Sequence, residues 1–322
     1  MTQEAIAVAT AHVRIQGEYK CVLNQGTERE TSTGWMRNLV TDRGLDSLGS
    51  SSFGLGFGQS PLEYISVGSG TVAPAASDTS LGAYIFGAPG LLVRDSQVNL
   101  GAPTYAGQFT LHYTFPKNSF TGNITEIGLG TSPSGANLFS RTLVVDNSGT
   151  PTALTVTSTD QLTIYYRLTC SPSLADSTGT VSLSGTSYGF TARIAQAASF
   201  LQPNTVYMFT SSSAWPGADS MSSAWFEDNA TLGAVTSTVS GTPVTPSQVG
   251  PTSTPAYVLG RFYQDVSMSW GPALANSLTS GLRGIEVHFG NSLGSWQWVF
   301  STPIPKNNTK TLTLVFRFSW GR

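Results

Sequence analysis

Two segments carry the G-x-S-x-G spacing that can present a serine nucleophile: Gly185-Thr-Ser187-Tyr-Gly189 and Gly290-Asn-Ser292-Leu-Gly294. That chemistry needs a strand-to-helix turn that lifts the serine above a parallel sheet. Here each serine stands between two strand-like runs with no helical pattern after it, so both segments read as hairpin turns. Asp42 and Asp46 stand four apart on an expected helix and can face one another. Paired carboxylates hydrolyse glycosides, but Asp42 is already accounted for by the positive end of that helix. Glu227 and Asp228 are adjacent, so in a strand they point to opposite faces. In a loop they would offer oxygens of the kind calcium takes, but a bare Glu-Asp-Asn does not define a site. His12, His112 and His288 lie in separate strand-like runs without a second histidine or carboxylate at ligand spacing, so each reads as structural. Cys21 and Cys170 sit in the apolar runs EYKCVL and YYRLTC and read as buried free thiols. No Walker loop, HExxH or EF-hand loop occurs. The sequence therefore predicts no catalytic residue, no metal site and no cofactor, and the chain is not expected to be an enzyme.

Tryptophan placement is more informative. Of seven Trp, only Trp35 lies in the first half; Trp215, Trp225, Trp270, Trp296, Trp298 and Trp320 lie in the second. Trp296 and Trp298 are two apart in a strand, so both rings leave the same face. Two readings stand for Trp296, Trp298, Trp270 and Trp225. One is an aromatic platform for a sugar or protein ligand. The other is packing in a core or a subunit interface, the standard use of aromatic rings in β structure.

The elements that would position these residues are strands. Gln108–Phe115 (QFTLHYTF) places Phe109, Leu111, Tyr113 and Phe115 on one face, and Gln161–Leu168 and Thr311–Trp320 alternate in the same way. One helix is predicted, near 41–48, with Thr41 as its cap, Leu45 and Leu48 on one face and Gly49 at its end. A Gly/Ser/Phe loop, SSSFGLGFGQSP, follows it. The order QFTLHYTF, ITEIGLG, ANLFSRTLV, DQLTIYYRLTCSP in the first half is matched by GRFYQDVSMSW, LRGIEVHFG, WQWVFSTPI, KTLTLVFRFSWG in the second. The expectation is an all-β chain of two sandwich-like domains, 1–172 and 173–322, as a duplicated module joined by the turn-rich CSPSLADS. The Thr/Ser/Pro/Gly run from Val235 to Pro255 reads as a long loop in the second half.

Composition narrows the class. Charged residues are 11% of the 322, well under the roughly 25% of ordinary domains, while aromatic residues are also 11%. Disordered chains are poor in aromatics, so this chain builds cores and replaces its missing charge with Ser, Thr, Gly and Asn. The net charge of −2 and the scattered Lys and Arg argue against nucleic acid as a partner. No basic, then apolar leader opens the sequence, and no apolar run approaches the roughly 18 residues of a membrane span. Synthesis and assembly in a cytoplasm are expected.

Several phrases carry a resemblance. Asn38-Leu-Val-Thr-Asp-Arg-Gly-Leu-Asp46 is followed by Val67-Gly-Ser-Gly-Thr71 and then by Ala73-Pro-Ala-Ala-Ser-Asp-Thr-Ser-Leu81. In that order they resemble the opening of tailed-bacteriophage virion proteins of the tail fibre, baseplate and minor tail type. Glu126-Ile-Gly-Leu-Gly130 with Leu138-Phe-Ser-Arg141 is similar to the strands that follow in those proteins. The likeness covers roughly residues 30–170, and the second half lacks the GSGT and D-T-x-L phrases. It implies a structural virion protein, assembled in the host cytoplasm and acting through a homo-oligomer, with a trimer favoured, and through other virion proteins. The first half would dock to the particle and the second would project. Host surface polysaccharide is the remaining partner considered. A receptor-binding protein that holds a glycan with its second half, and a capsid decoration or collar protein, are the alternatives. The weakly alternating strand Ala5–Ile15 is expected to pair with a neighbouring subunit.

Overall fold

The computed structural model describes residues 2–49, 60–89, 93–200, 221–244, 253, 255–276, 280–289 and 293–322. The first half contains β1 (Thr2–Leu23), β2 (Thr31–Ser32), β3 (Met36–Arg37), β4 (Leu39–Val40), α1 (Asp42–Gly49), β5 (Tyr64–Gly68), β6 (Tyr84–Pro89), β7 (Val93–Leu100), β8 (Ala106–Phe115), β9 (Gly122–Ile124), β10 (Glu126–Gly130), β11 (Leu138–Leu143), β12 (Leu154–Val156) and β13 (Leu162–Pro172). The second contains β14 (Ser177–Leu183), β15 (Thr186–Ala195), β16 (Ser222–Phe226), β17 (Tyr263–Trp270), β18 (Leu282–His288), β19 (Ser295–Ile304) and β20 (Thr311–Gly321). The chain is all-β, as its alternation predicts, and α1 begins where Thr41 caps it: Thr41 Oγ1 accepts from the Gly44 amide at 2.9 Å.

A large sheet runs β17-β20-β1-β13-β8-β7, with β2 and β3 added beside β1. Two five-stranded sheets, β4-β11-β10-β5-β6 and β14-β15-β19-β18-β16, pack on its inner side, and β9 and β12 form a separate pair. Buried side chains alternate along β20 throughout and along β13 from Ile164 onward, which is why these strands present Ile164, Tyr166 and Leu168, or Leu314, Phe316 and Phe318, to the interior. Tyr19 Oη meets Ser140 Oγ at 2.8 Å across the first pair of layers, and Trp298 meets Phe316 at 4.9 Å between centroids across the second.

The expected boundary at 172/173 falls at the end of β13, and strands from both sides of it share the large sheet. The strand β1 is the reason. Its C-terminal part pairs antiparallel with β13, from Val13↔Pro172 to Leu23↔Leu162, and its N-terminal part pairs parallel with β20, from Thr2↔Thr311 to Arg14↔Gly321. The strand expected to pair with a neighbouring subunit thus has β20 of the same chain along one edge.

One strand plan occurs twice. In chain order β4, β5, β8, β10, β11 and β13 correspond to β15, β16, β17, β18, β19 and β20. The small sheets contain β4-β11-β10-β5 and β15-β19-β18-β16, while β8 pairs with β13 and β17 with β20 in the large one. Arg167 and Arg317 occupy matching outward positions. Each is held by a carboxylate of the adjacent strand (Glu18, Asp265) and lies over an aromatic ring, Trp35 at 4.1 Å and Tyr263 at 3.6 Å.

Candidate functional site

The resemblance phrases, far apart in sequence, meet at one buried ionic clasp. Glu126 on β10 is 0% exposed and Arg141 on β11 is 3% exposed; the strands place them on the outer face of the small sheet. Glu126 Oε1 accepts from the Gly70 amide (2.9 Å) and the Ala83 amide (2.7 Å), and Oε2 accepts from the Gly82 amide (3.1 Å) and Arg141 Nε (2.8 Å). Arg141 also donates to Asp78 Oδ2 (2.7 Å) and the Val72 carbonyl (2.9 Å), while Asp78 takes the Ala75 amide (2.9 Å). Gly70 is required: a Cβ there would come within 2.4 Å of Glu126 Oε1. The loop 69–83 is thereby pinned over the sheet, and the Ala76 carbonyl in it accepts the Asp42 amide at the start of α1 (2.7 Å). Burial pushes the Glu126 carboxyl up, yet the Ala83 and Gly82 amides and Arg141 together hold it below its ordinary value. Burial opposes the charge of Arg141 as well, and Asp78 and Glu126 more than offset it. Every charge here has a partner, so the clasp fixes a loop and leaves no group poised to react.

A second cluster is not closed in this way. Pairing of β20 with β1 stops at Arg14↔Gly321 and pairing of β3 begins at Glu18↔Arg37. Beside Ile15–Gly17 the large sheet therefore has a gap, crossed only by the Asn38 amide donating to the Gly17 carbonyl (3.1 Å) among the described residues. A cleft of about 340 Å³ lies there, lined by Arg14, Gln16, Arg37, Asn38, Thr169 and Arg322. Arg322 is held by Asp42 and the Val40 carbonyl. Glu18, on the cleft wall, takes Arg167 Nε and Nη2 at 2.9 and 2.6 Å. The side chains of Arg14 and Arg37 are exposed and have no hydrogen bond or ion pair among the described residues. Buried Asn38 Oδ1 likewise has no partner. A shallower groove of about 510 Å³ lies against β14, β15 and β19, where Arg283 is already held by the Phe300 and Asp228 carbonyls.

The residues singled out in the sequence fall elsewhere. Trp225, Trp270, Trp296 and Trp298 are buried in the chain's own core, Trp225 against Trp270 at 5.2 Å, so they are not a platform presented to a ligand. Rings of the two layers interlock between sheets, which uses up the faces a sugar would need. Trp215 lies outside the described residues, as do 50–59 of the Gly/Ser/Phe loop and 245–252 and 254 of the long run before Pro255. Asp42 and Asp46 do not face each other: Asp42 binds Arg322, while Asp46 accepts from Tyr257 Oη (2.6 Å) and the Gly260 amide (2.7 Å). Ser187 stands in β15 after a two-residue hairpin turn, Ser184-Gly185, both at positive φ. Ser292 lies outside the described residues. His12 and His288 each meet a serine hydroxyl (Ser319, 2.9 Å; Ser295, 3.0 Å), and burial lowers both pKa values. His112 packs beside Tyr165. No group of three metal-binding side chains occurs among the described residues. Cys21 and Cys170 are free and buried, as expected.

Two pinned groups were missed at the sequence level. Gln297 donates to carbonyls of Ile194, Gly233 and Ala234 and accepts the Gly233 amide (2.7 Å), fastening a loop over the second small sheet. The Lys306 ammonium sits in a cage of the Gly271, Leu274 and Asn307 carbonyls and Asn276 Oδ1, all within 3.0 Å. A charged or amide residue inside an apolar alternation was the available signal for Glu126, Arg141 and Gln297. No family model, curated protein or solved structure matches the chain.

Proposed function

We propose that the chain is a structural subunit of a tailed-bacteriophage particle, associated with the tail, which works through contacts with copies of itself and with other virion proteins. The observation that carries this reading is the clasp. The phrases shared with tail-type virion proteins supply its carboxylates, its guanidinium and the glycines that admit them, so the likeness follows one structural device. The core supports it too, since buried charge holds loops in place and aromatic rings lock layers, as suits a subunit that must outlast its host cell. At one end of the large sheet, β7 has a pairing strand on one side only among the described residues, and Val98 on it is exposed. Such an edge accepts a strand from a neighbouring copy.

Light scattering on the purified chain tests the assembly: a closed homo-oligomer, first of all a trimer, is expected, and a monodisperse monomer at micromolar concentration refutes it. Antibody labelling of whole particles then gives the location. Label at the tail agrees with the proposal, and label spread over the capsid lattice would replace it with a decoration or collar protein.

A further inference from the structure

We infer that the gap in the large sheet beside Ile15–Gly17 is a binding site for an acidic saccharide, whose carboxylate is taken by Arg14 and Arg37. The inference does not rest on the virion reading, since the site lies within one chain.

Charge is the first argument. Four guanidiniums gather here, those of Arg14, Arg37, Arg167 and Arg322, against two carboxylates, Glu18 and Asp42. Counted over side chains, the excess of two positive charges stands in a chain whose net charge is −2. Several arginines elsewhere are paired with carboxylates: Arg141 with Glu126 and Asp78, Arg193 with Asp176, Arg317 with Asp265. Arg14 and Arg37 have no such partner among the described residues, and they flank the gap between the β20 and β3 ladders on β1. Arg37 is directly opposite Glu18 in register, yet Glu18 is engaged by Arg167 from the other side. A second carboxylate is what the pair lacks.

Size and lining give the ligand class. About 340 Å³ is at the small end of the range for small-molecule sites, enough for one sugar ring and its substituents. Guanidinium forks match planar carboxylates in a bidentate manner. Beyond the arginines the cleft offers amide and hydroxyl groups, from Gln16, Asn38 and Thr169, which suit a ligand rich in hydroxyls. Asn38 is fixed at the floor of the gap, where its carboxamide covers Gly17 and donates to Tyr166 Oη at 3.4 Å. Trp35 is 37% exposed and is fixed by Arg167, which also binds the cleft-wall carboxylate of Glu18. Its free edge is where the next ring of a longer chain would rest.

Isothermal titration at low salt with trigalacturonate and 3′-sialyllactose, beside the methyl ester of the first and lactose for the second, tests the proposal. At least one acid should bind, with its uncharged counterpart weaker by tenfold or more. Arg14→Gln with Arg37→Gln should lower affinity at least tenfold at an unchanged melting temperature. Arg14→Lys with Arg37→Lys should recover only part, because the charge returns without the fork. Arg261→Gln, which removes a guanidinium elsewhere, should bind as the parent does. Failure of both acids, undiminished binding by the double glutamine variant, or loss in Arg261→Gln would overturn the site. Displacement of the sugar by an equal concentration of inorganic phosphate would overturn the saccharide assignment.

Discussion

Glutamine at position 126 would have nearly the shape of the native glutamate and would still damage the clasp. Both carboxylate oxygens are doubly occupied by donors: Gly70 and Ala83 on Oε1, Gly82 and Arg141 on Oε2. A carboxamide must turn its NH2 group to one side or the other, and on either side it meets two N–H donors in a space closed to water. Two charge-assisted hydrogen bonds are lost, at about 1.5–3 kcal/mol each, so Glu126→Gln should cost about 3–6 kcal/mol. Arg141→Met should cost about 3–5 kcal/mol, because Glu126 and Asp78 then remain together without a cation. The double variant should cost less than the sum, since removing both charges leaves neither stranded. Urea unfolding followed by circular dichroism and by tryptophan fluorescence gives the values, with an unchanged slope expected. The pH dependence has a definite sign. The folded Glu126 carboxyl lies below its ordinary value, so its contribution is complete above about pH 5 and is lost as pH falls through the folded pKa. Glutamine should remove that part of the acid slope. A Glu126→Gln protein within about 0.5 kcal/mol of the parent would refute the clasp, because surface substitutions fall in that band.

Other outcomes follow from burial. Cys21 is pushed up to about 12 and Cys170 further still, in both cases by burial, so neither thiol should react with a disulfide reagent in the folded protein and both should react in denaturant. Oxidation should not join them: Cys21 lies opposite Ile164, six residues from Cys170 along β13, or about 20 Å at strand spacing. Trp298→Ala should destabilise by about 3–5 kcal/mol through the cavity it leaves against Phe316, and titration should show saccharide binding unchanged.

Alternation made the strands legible: β8, β13 and β20 lie where period-two patterns place them, and Thr41 marks the start of α1 through its side chain. Pairing was not legible to the same degree. The partner of β1 is set by contacts more than 300 residues away, and a local pattern does not specify which distant edge is free. That Trp296 and Trp298 share a face follows from their spacing, but not whether that face looks inward. Gln297 between them is buried as well, because a loop covers the other side of the sheet. With both faces covered, polarity ceases to report orientation. The clasp escaped for a related reason: Glu126 and Arg141 become neighbours only once β10 pairs with β11, and Asp78 arrives from a loop whose course no periodicity encodes.

Corresponding positions in the two halves show what the repeated plan demands. Arg141 lies opposite Gly128, next in register to Glu126↔Leu143; Gln297 lies opposite Glu286, next to Gly284↔Val299. Arg141 and Gln297 therefore occupy matching places on β11 and β19, and both reach through the outer face of a small sheet to hold a loop. The matching residues on β10 and β18 differ. Glu126 supplies a carboxylate, whereas at Gly284 a Cβ would lie 2.7 Å from Ala230 Cβ, so there the loop packs directly on the strand. The first half fastens its loop with a carboxylate and a guanidinium, and the second with the Gln297 amide, the Arg193 guanidinium on the Gly233 carbonyl (2.9 Å) and close contact. Each small sheet carries a loop on its outer face, and in both halves buried polar side chains satisfy the backbone groups of that loop. Acid should therefore loosen the loop 69–83 before the loop 233–237, since protonation removes the Glu126 charge, whereas the bonds of Gln297 and the Arg193 guanidinium to Gly233 contain no group that gains a proton.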